Sequence, residues 1–161
     1  MKSLLRLIAF GAASGFVWGF VPLTLSELWQ STGLAVSTLF AGSVTGIAVT
    51  FVLAGPLQYP QRWIAGVLGA ASLPLGAFLF GVVATWIQFG LSQWLGVTYR
   101  FVRHGFEPLQ IGRIYALCSL IPWFAIVLVP AAVGTTLMLQ GIIHHSDHDT
   151  KILDASAQPR S

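Results

Sequence analysis

Charged residues are scarce in this chain. Only 8% of its residues are Asp, Glu, Lys or Arg, whereas a soluble domain has about 25%. The stretch from Trp63 to Tyr99 has none in 37 residues, and three other stretches of 20 or more residues are also free of charge. Because a membrane-spanning helix needs about 20 apolar residues, the sequence excludes an ordinary soluble domain and predicts a multi-pass integral membrane protein.

The apolar stretches also lack the residues that carry redox and proton chemistry. A haem held between helices needs axial ligands at membrane depth, yet no histidine lies in an expected span: His104 falls in a connection and the others follow the last span. Cys118 is the single cysteine, so no intrachain disulfide forms. No other ionisable side chain lies well inside a stretch, so a proton relay or an ion-coupled carrier lacks its usual groups.

Four charge-free stretches predict an all-α fold, a helical bundle with four transmembrane helices. We expect the spans at about 4–25, 34–55, 63–87 and 114–139, within a transmembrane domain of residues 1–143. Residues 144–161 are expected to form a polar C-terminal tail. We interpret the first stretch as an uncleaved span rather than a signal peptide, since too few apolar residues precede the first glycine.

The segment between the third and fourth spans is too long for a tight turn and too polar for another span. On a helical projection its aromatic and aliphatic residues share one face, and its arginines share the other. This pattern predicts an interfacial amphipathic helix over about 90–104. We expect Trp94 at the acyl boundary and Arg100 and Arg103 among the lipid headgroups.

A five-span topology is the alternative. With four spans and a cytoplasmic N-terminus, five basic residues lie inside and three outside, and dividing the stretch 63–99 into two spans changes the count to six and two. However, two spans of about 20 residues and a turn need more than this stretch provides. Four spans are therefore favoured, and five spans or a re-entrant segment stay open.

Small residues recur at four-residue intervals in the first two spans. Gly11, Gly15 and Gly19 follow one side of the first, and Gly42 and Gly46 follow one side of the second. In lipid, helices associate through close backbone contact at such positions. The pattern predicts a glycine zipper that packs the bundle internally, or alternatively a face that forms a homo-oligomer or docks on a larger complex.

Prolines, hydroxyls and tryptophans inside the spans have both structural and functional interpretations. We expect Pro74 and Pro122 to be kinks accommodated by packing, and Trp18 and Trp123 to pack against neighbouring helices, with a bound pigment or quinone as the alternative. A pore for a small neutral solute would use hydroxyl side chains, and the candidates are Ser72, Thr85, Ser119 and Thr135.

The tail contains the only cluster with metal-ligand chemistry. His144 and His148 would share a helical face, and the nearby aspartates could complete a zinc or nickel shell. A solvated tail that ends the last helix is the simpler interpretation. We therefore predict no metal, and we also predict no cofactor.

The sequence contains no catalytic signature, so we expect a small non-catalytic protein, a structural or accessory subunit of a membrane assembly. An oligomeric channel or transporter for a small neutral solute is the first alternative, and an enzyme or pigment-binding protein is the second. The expected partners are membrane lipids and other membrane subunits, or further copies of the chain. Nucleic acid is excluded because the basic residues form no stripe.

The two topologies differ in where Ser31 and His104 lie. In a Cys118→Ser background, single cysteines at Ser31, His104 and Ser156 would be labelled with a membrane-impermeant thiol reagent. With four spans, positions 31 and 104 label from one side and position 156 from the other. Labelling of 31 and 104 from opposite sides would contradict four spans.

Overall fold

The computed structural model describes residues 2–25, 32–59, 61–95 and 107–157. These residues form five α-helices and one short 3-10 helix, with no strand among them, so the predicted all-α class is confirmed. The α-helices are α1 (Lys2–Leu25), α2 (Thr32–Ala54), α3 (Arg62–Leu95), α4 (Pro108–Ser119) and α5 (Pro122–Ala157). The 3-10 helix, Pro56–Gln58, lies between α2 and α3.

Four of these helices are long and apolar enough to cross a membrane, as the sequence predicts. The qualifying segments are Leu4–Pro22, Ala35–Ala54, Arg62–Leu91 and Pro122–His145. The remaining helix, α4, has only 12 residues, fewer than the roughly 20 that a span needs. It packs mainly against α3.

One end of the bundle collects the start of α1, the α2–α3 connection, the start of α3 and the second half of α5. Leu53, Leu57, Ala65 and Leu139 form a buried cluster there, and Leu7 packs against it. The side-chain amide of Gln140 also donates a hydrogen bond of 2.9 Å to the carbonyl oxygen of Tyr59. Successive long helices therefore run antiparallel.

Close backbone approach joins α1 to α2. A Cβ added at Gly15 would overlap the carbonyl oxygen of Gly42 and lie 2.8 Å from the Cα of Gly46. One added at Gly11 would lie 2.8 Å from the Cα of Ile47. Real Cβ atoms do not approach backbone this closely, so any side chain at Gly11 or Gly15 would force the two helices apart.

Glycines also set the contacts of α3. A Cβ at Gly69 would lie 2.7 Å from the Cα of Val133 in α5. One at Gly81 would lie 2.9 Å from the Cα of Gly112 in α4. Next to that second contact, the rings of Phe80 and Tyr115 meet edge to face with centroids 5.4 Å apart. α3 is thus held closely to α5 in its first half and to α4 further along.

The third span is longer than predicted. α3 continues without a turn through 34 residues to Leu95, a length of roughly 51 Å at 1.5 Å per residue. The expected separate helix at about 90–104 therefore does not begin at residue 90, because residues 90–95 extend α3. The rest of that segment, residues 96–106, lies outside the described residues. An unbroken helix over 62–95 also lacks the turn that a five-span division of this stretch requires.

The segment 114–139, predicted as one spanning helix, is interrupted. α4 ends at Ser119, and α5 begins with Pro122 in its first turn. Proline disfavours helical backbone in the residue before it and cannot donate an amide hydrogen bond. The candidate span therefore starts at Pro122, and this proline is a helix start rather than a kink. Pro22, Pro74 and Pro130 stay inside their helices.

The tail does not end the last helix at residue 144, as was expected. α5 continues to Ala157, more than three turns further. Residues 142–157 contain neither glycine nor proline, so no residue in this part breaks the hydrogen-bond ladder. Polarity ends the membrane-compatible segment near His145, but it does not end the helix.

Replacing Gly15 with leucine should separate α1 from α2. Because the new side chain overlaps the backbone of α2, the two helices must shift apart. The cost should be at least about 1–3 kcal/mol of unfolding free energy. The control is Phe16→Leu at the next position, where the ring is exposed and the loss should be smaller than about 1.5 kcal/mol. Unfolding in mixed micelles measures both variants, and equal stability would contradict the contact.

Candidate binding cavity

The five helices surround a cavity of about 460 Å³. Small-molecule sites in proteins usually have volumes of about 300–1,000 Å³. Each helix contributes to the wall, for example through Trp18 in α1, Val49 in α2, Phe80 in α3, Tyr115 in α4 and Leu128 in α5. The space is therefore a property of the bundle as a whole, not of one pair of helices.

The wall of the cavity is mainly apolar. Aromatic rings contribute from Phe10, Trp18, Phe80 and Phe124, and most other lining residues are aliphatic or glycine. The described residues that line the cavity include no Asp, Glu, Lys, Arg or His. Such a wall favours neutral contents, because an unpaired charge would lose its hydration without compensation.

Hydroxyl groups are the main polar feature of the wall, and most of those with assigned partners are engaged within their own helices. Ser72 donates to the carbonyl oxygen of Gly69 at 2.8 Å, and Ser119 donates to that of Ala116 at 2.7 Å. Thr135 and Thr136 donate to the carbonyl oxygens four residues earlier, each at 2.8 Å. Their protons are used, so these hydroxyls can only accept a further hydrogen bond.

Thr45 differs from these hydroxyls. Its side chain is only 6% exposed, and its Oγ1 atom has no hydrogen-bond partner among the described residues. Thr45 lies in α2 and lines the cavity. A buried hydroxyl without a partner costs about 1–3 kcal/mol, and this oxygen lies within the packed wall, where a molecule in the cavity does not reach it.

Three of the four predicted pore residues line the cavity. Ser72, Ser119 and Thr135 line the cavity, whereas Thr85 is buried and donates to the carbonyl oxygen of Gly81. Sequence reasoning did not single out Thr45, since α2 contains several threonines and only the packed structure distinguishes an unpaired hydroxyl from a paired one. Thr45 lies four residues from both Ala41 and Val49, and this spacing does not indicate whether its hydroxyl is paired.

The two tryptophans singled out in the sequence have different environments. Trp18 is partly buried and lines the cavity. Trp123 follows Pro122 at the start of α5 and is 82% exposed, so the expectation that it packs against neighbouring helices is wrong. Its ring lies on the outer surface of the bundle.

α1 and α4 both line the cavity without contacting each other. No Cα atom of α1 lies within 8 Å of a Cα atom of α4. Trp18 and Pro22 line the cavity from α1, while Ile114 and Cys118 line it from α4 and are exposed. Among the described residues, the two helices therefore bound the cavity without a close backbone contact between them.

The structure brings the predicted packing glycines together at the α1–α2 contact, where Gly11, Gly15 and Gly19 face Gly42, Gly46 and their neighbours. All of them except Gly11 also line the cavity. Of the predicted interfacial residues, Trp94 is 90% exposed at the end of α3. Arg100 and Arg103 lie outside the described residues.

Metal-ligand groups are sparse in the part of the chain that the structure describes. No group of three or more His, Cys, Asp or Glu side chains there could hold a metal ion. The side chain of His148 and the tail aspartates lie outside the described set, so the tail cluster is not covered by this finding.

No family model matches this chain, and neither the curated proteins nor the solved structures include a match.

The unpaired hydroxyl makes a prediction about stability without ligand. Thr45→Val removes a group that has no partner, so the free energy of unfolding should stay the same or rise. Thr136→Val in α5 also replaces a buried threonine, but it removes the bond to Ala132, and an intramolecular hydrogen bond contributes about 0.5–1.5 kcal/mol. Unfolding in mixed micelles compares the two, and a larger loss at Thr45 would contradict the assignment.

Proposed function

We propose that this chain is an integral membrane protein that crosses the bilayer four times and acts without catalysis, as a structural or accessory subunit of a membrane assembly. The observation that carries the proposal is the distribution of side chains between the inside and the outside of the bundle. Buried polar side chains include Ser37, Thr38, Thr50, Gln88 and Gln140. The outside has the opposite character.

Large apolar side chains are exposed on all four long helices, for example Val17, Val52, Val67 and Ile126. In water such a surface would be an extensive apolar patch, and monomeric soluble proteins rarely expose one. In a bilayer the same surface meets hydrocarbon, and the polar side chains find partners inside the bundle. Lipid chains are therefore the proposed partners of this surface.

The absence of catalysis is supported by the chemistry of the cavity. Catalytic acids, bases and nucleophiles work in positioned pairs, with one group activating another. The described residues that line the cavity supply Cys118 and Tyr115 but no histidine or carboxylate that could act as a base. Binding and scaffolding need no such pair.

The accessory role is supported by two glycines of α5 that none of the described residues covers. A Cβ at Gly134 or Gly141 would meet no atom within 4 Å. The two lie seven residues apart and so share one face, different from the face where Val133 meets α3. Glycine inside a helix costs about 0.5–1 kcal/mol relative to alanine. A neighbouring subunit's helix that approaches closely there would offset this cost.

Orientation follows from the basic residues at the shared end of the bundle. Arg6 and Arg62 are exposed near the buried cluster that joins α1, α3 and α5. Basic residues are enriched on the cytoplasmic side of membrane proteins. This end, with the N-terminus, is therefore proposed to be cytoplasmic.

Purification from native membranes in a mild detergent should recover a second membrane protein in a fixed ratio. The two leucines of Gly134→Leu and Gly141→Leu would prevent close approach of a neighbouring helix. Together they should lower that recovery roughly tenfold, which corresponds to a loss of about 1.4 kcal/mol in binding free energy. Quantitative mass spectrometry and native gels measure the ratio, and thermal stability in detergent should be unchanged.

Gly66→Leu is the control, since a Cβ at Gly66 in α3 also meets no atom within 4 Å. It should leave the recovery unchanged. A chain that purifies only as a homo-oligomer, whatever the state of Gly134 and Gly141, would contradict the accessory role.

A further inference from the structure

We propose that a second pocket, at the end of the bundle shared by α1, α3 and α5, binds the headgroup of an anionic phospholipid, with Arg62 as the cationic partner of its phosphate. Such a site is more specific than a general contact with hydrocarbon, and it rests on the proposed membrane role. Three features support it: the charge of the pocket, its level along the helices and the lack of a competing partner for Arg62.

The pocket lies between the start of α3 and the second half of α5 and has a volume of about 550 Å³. Its lining consists of one residue of α3 and four of α5, namely Arg62, Leu137, Gln140, Gly141 and His144. The bond from Gln140 to the carbonyl oxygen of Tyr59 fixes α5 against the α2–α3 connection beside the pocket. A Cβ at Gly141 would meet no atom within 4 Å, so no described residue fills the space at that position.

The α3 side of the pocket is cationic. Arg62 is exposed, and its planar guanidinium is always charged and matches the geometry of a phosphate. Arg62 forms no ion pair with another described residue, and the described lining contains no Asp or Glu. Arg62 is also the first residue of α3, where the helix dipole favours an anion. A phosphate there meets an attractive side chain and an attractive helix end, and no carboxylate of the lining repels it.

The level of the pocket indicates a lipid rather than a free anion. Arg62 begins the apolar segment of α3, and His144 lies at the end of the apolar segment of α5. Leu137 is 40% exposed and lies further inside that segment, roughly 10 Å from His144 along the helix. The pocket therefore combines a charged group at the level of the headgroups with an apolar wall at the level of the acyl chains. A phospholipid has both parts in this order.

The headgroup should carry a net negative charge. Phosphatidylcholine and phosphatidylethanolamine carry an ammonium group beside the phosphate, which Arg62 would repel and for which the described lining offers no carboxylate. Phosphatidylglycerol carries the phosphate and a neutral glycerol. Basic pockets between membrane helices on the cytoplasmic side bind anionic headgroups, and this end of the bundle is the one proposed to be cytoplasmic.

His144 shapes the pocket from the α5 side. Its Nε2 atom is enclosed and has no partner among the described residues, so a bound phosphate does not reach this atom. The residue nevertheless lines the pocket. Position 144 is therefore a place where a substitution changes the charge of the pocket without altering Arg62.

The test uses the full-length protein, reconstituted in phosphatidylcholine bilayers that contain a minority of phosphatidylglycerol and then released in a mild detergent. Native mass spectrometry should find one phosphatidylglycerol retained per chain, in preference to the more abundant phosphatidylcholine. Inorganic phosphate in excess should not displace it, because free phosphate gains nothing from the apolar wall. Displacement by inorganic phosphate would assign the pocket to a free anion and overturn the lipid site.

Two pairs of variants test the pocket itself. Arg62→Gln should lower the retention of phosphatidylglycerol about tenfold, as expected for the loss of hydrogen bonds to a charged group. Its control is Arg113→Gln in α4, since Arg113 is also exposed but does not line the pocket. His144→Glu places a carboxylate beside Arg62 and should also lower retention. Its control is His145→Glu, at the next and exposed position outside the lining.

Equal retention of the two lipids, or equal losses within each pair of variants, would show an unselective lipid layer and overturn the site. If one pocket variant does not fold, the other pair decides. A chain that does not enter the bilayers at all would contradict the proposed membrane role and the site with it. A chain that enters them but retains no phosphatidylglycerol would overturn only the site.

Discussion

Close backbone approach at glycine is the contact on which the rest of the bundle depends. Three such contacts join α1 to α2, α3 to α5 and α3 to α4, and the short connection after Ala54 joins α2 to α3. In hydrocarbon no hydrophobic effect drives apolar helices together, so close packing must supply the attraction. Because the contacts are local, the helices separate between them, and the cavity occupies that space. Gly15 and Gly46 permit the contact between α1 and α2 and also line the cavity. The missing side chains therefore leave space both for the contact and for the cavity.

Polar groups inside the bundle are satisfied mainly at short range. Serine and threonine hydroxyls donate to carbonyl oxygens three or four residues earlier, so they add polarity without linking helices. The bond from Gln140 to Tyr59 is different, since it joins positions 81 residues apart. It ties α5 to the α2–α3 connection at the end of the bundle that also holds the buried leucine cluster. This end is therefore specified by polar and apolar contacts together.

The sequence predicted the long helices well because their cause is local. About 20 apolar residues without charge suffice to form a span, and four such stretches are visible by inspection. The ends of the helices were predicted less well, since polarity and helix breaking are different properties. The tail after His145 is polar but has no breaker until Pro159, and α5 continues through it. Pro74 and Pro122 have the same side chain, yet only Pro122 begins a helix. Thr45 could not be identified at all, because an unpaired hydroxyl is defined by its neighbours in space.

The length of α3 has a consequence for any bilayer that it crosses. Its apolar segment of 30 residues measures roughly 45 Å, about 15 Å more than a typical hydrocarbon core, whereas the segments of α1 and α2 have 19 and 20 residues and match that core. A mismatch of this kind is relieved by tilting the helix or by thickening the bilayer around it. Since α4 is attached to α3 at Gly81 and is not attached to α1, a change in the tilt of α3 moves α4 relative to α1. In a bilayer, hydrocarbon thickness would therefore act on the position of α4 relative to α1.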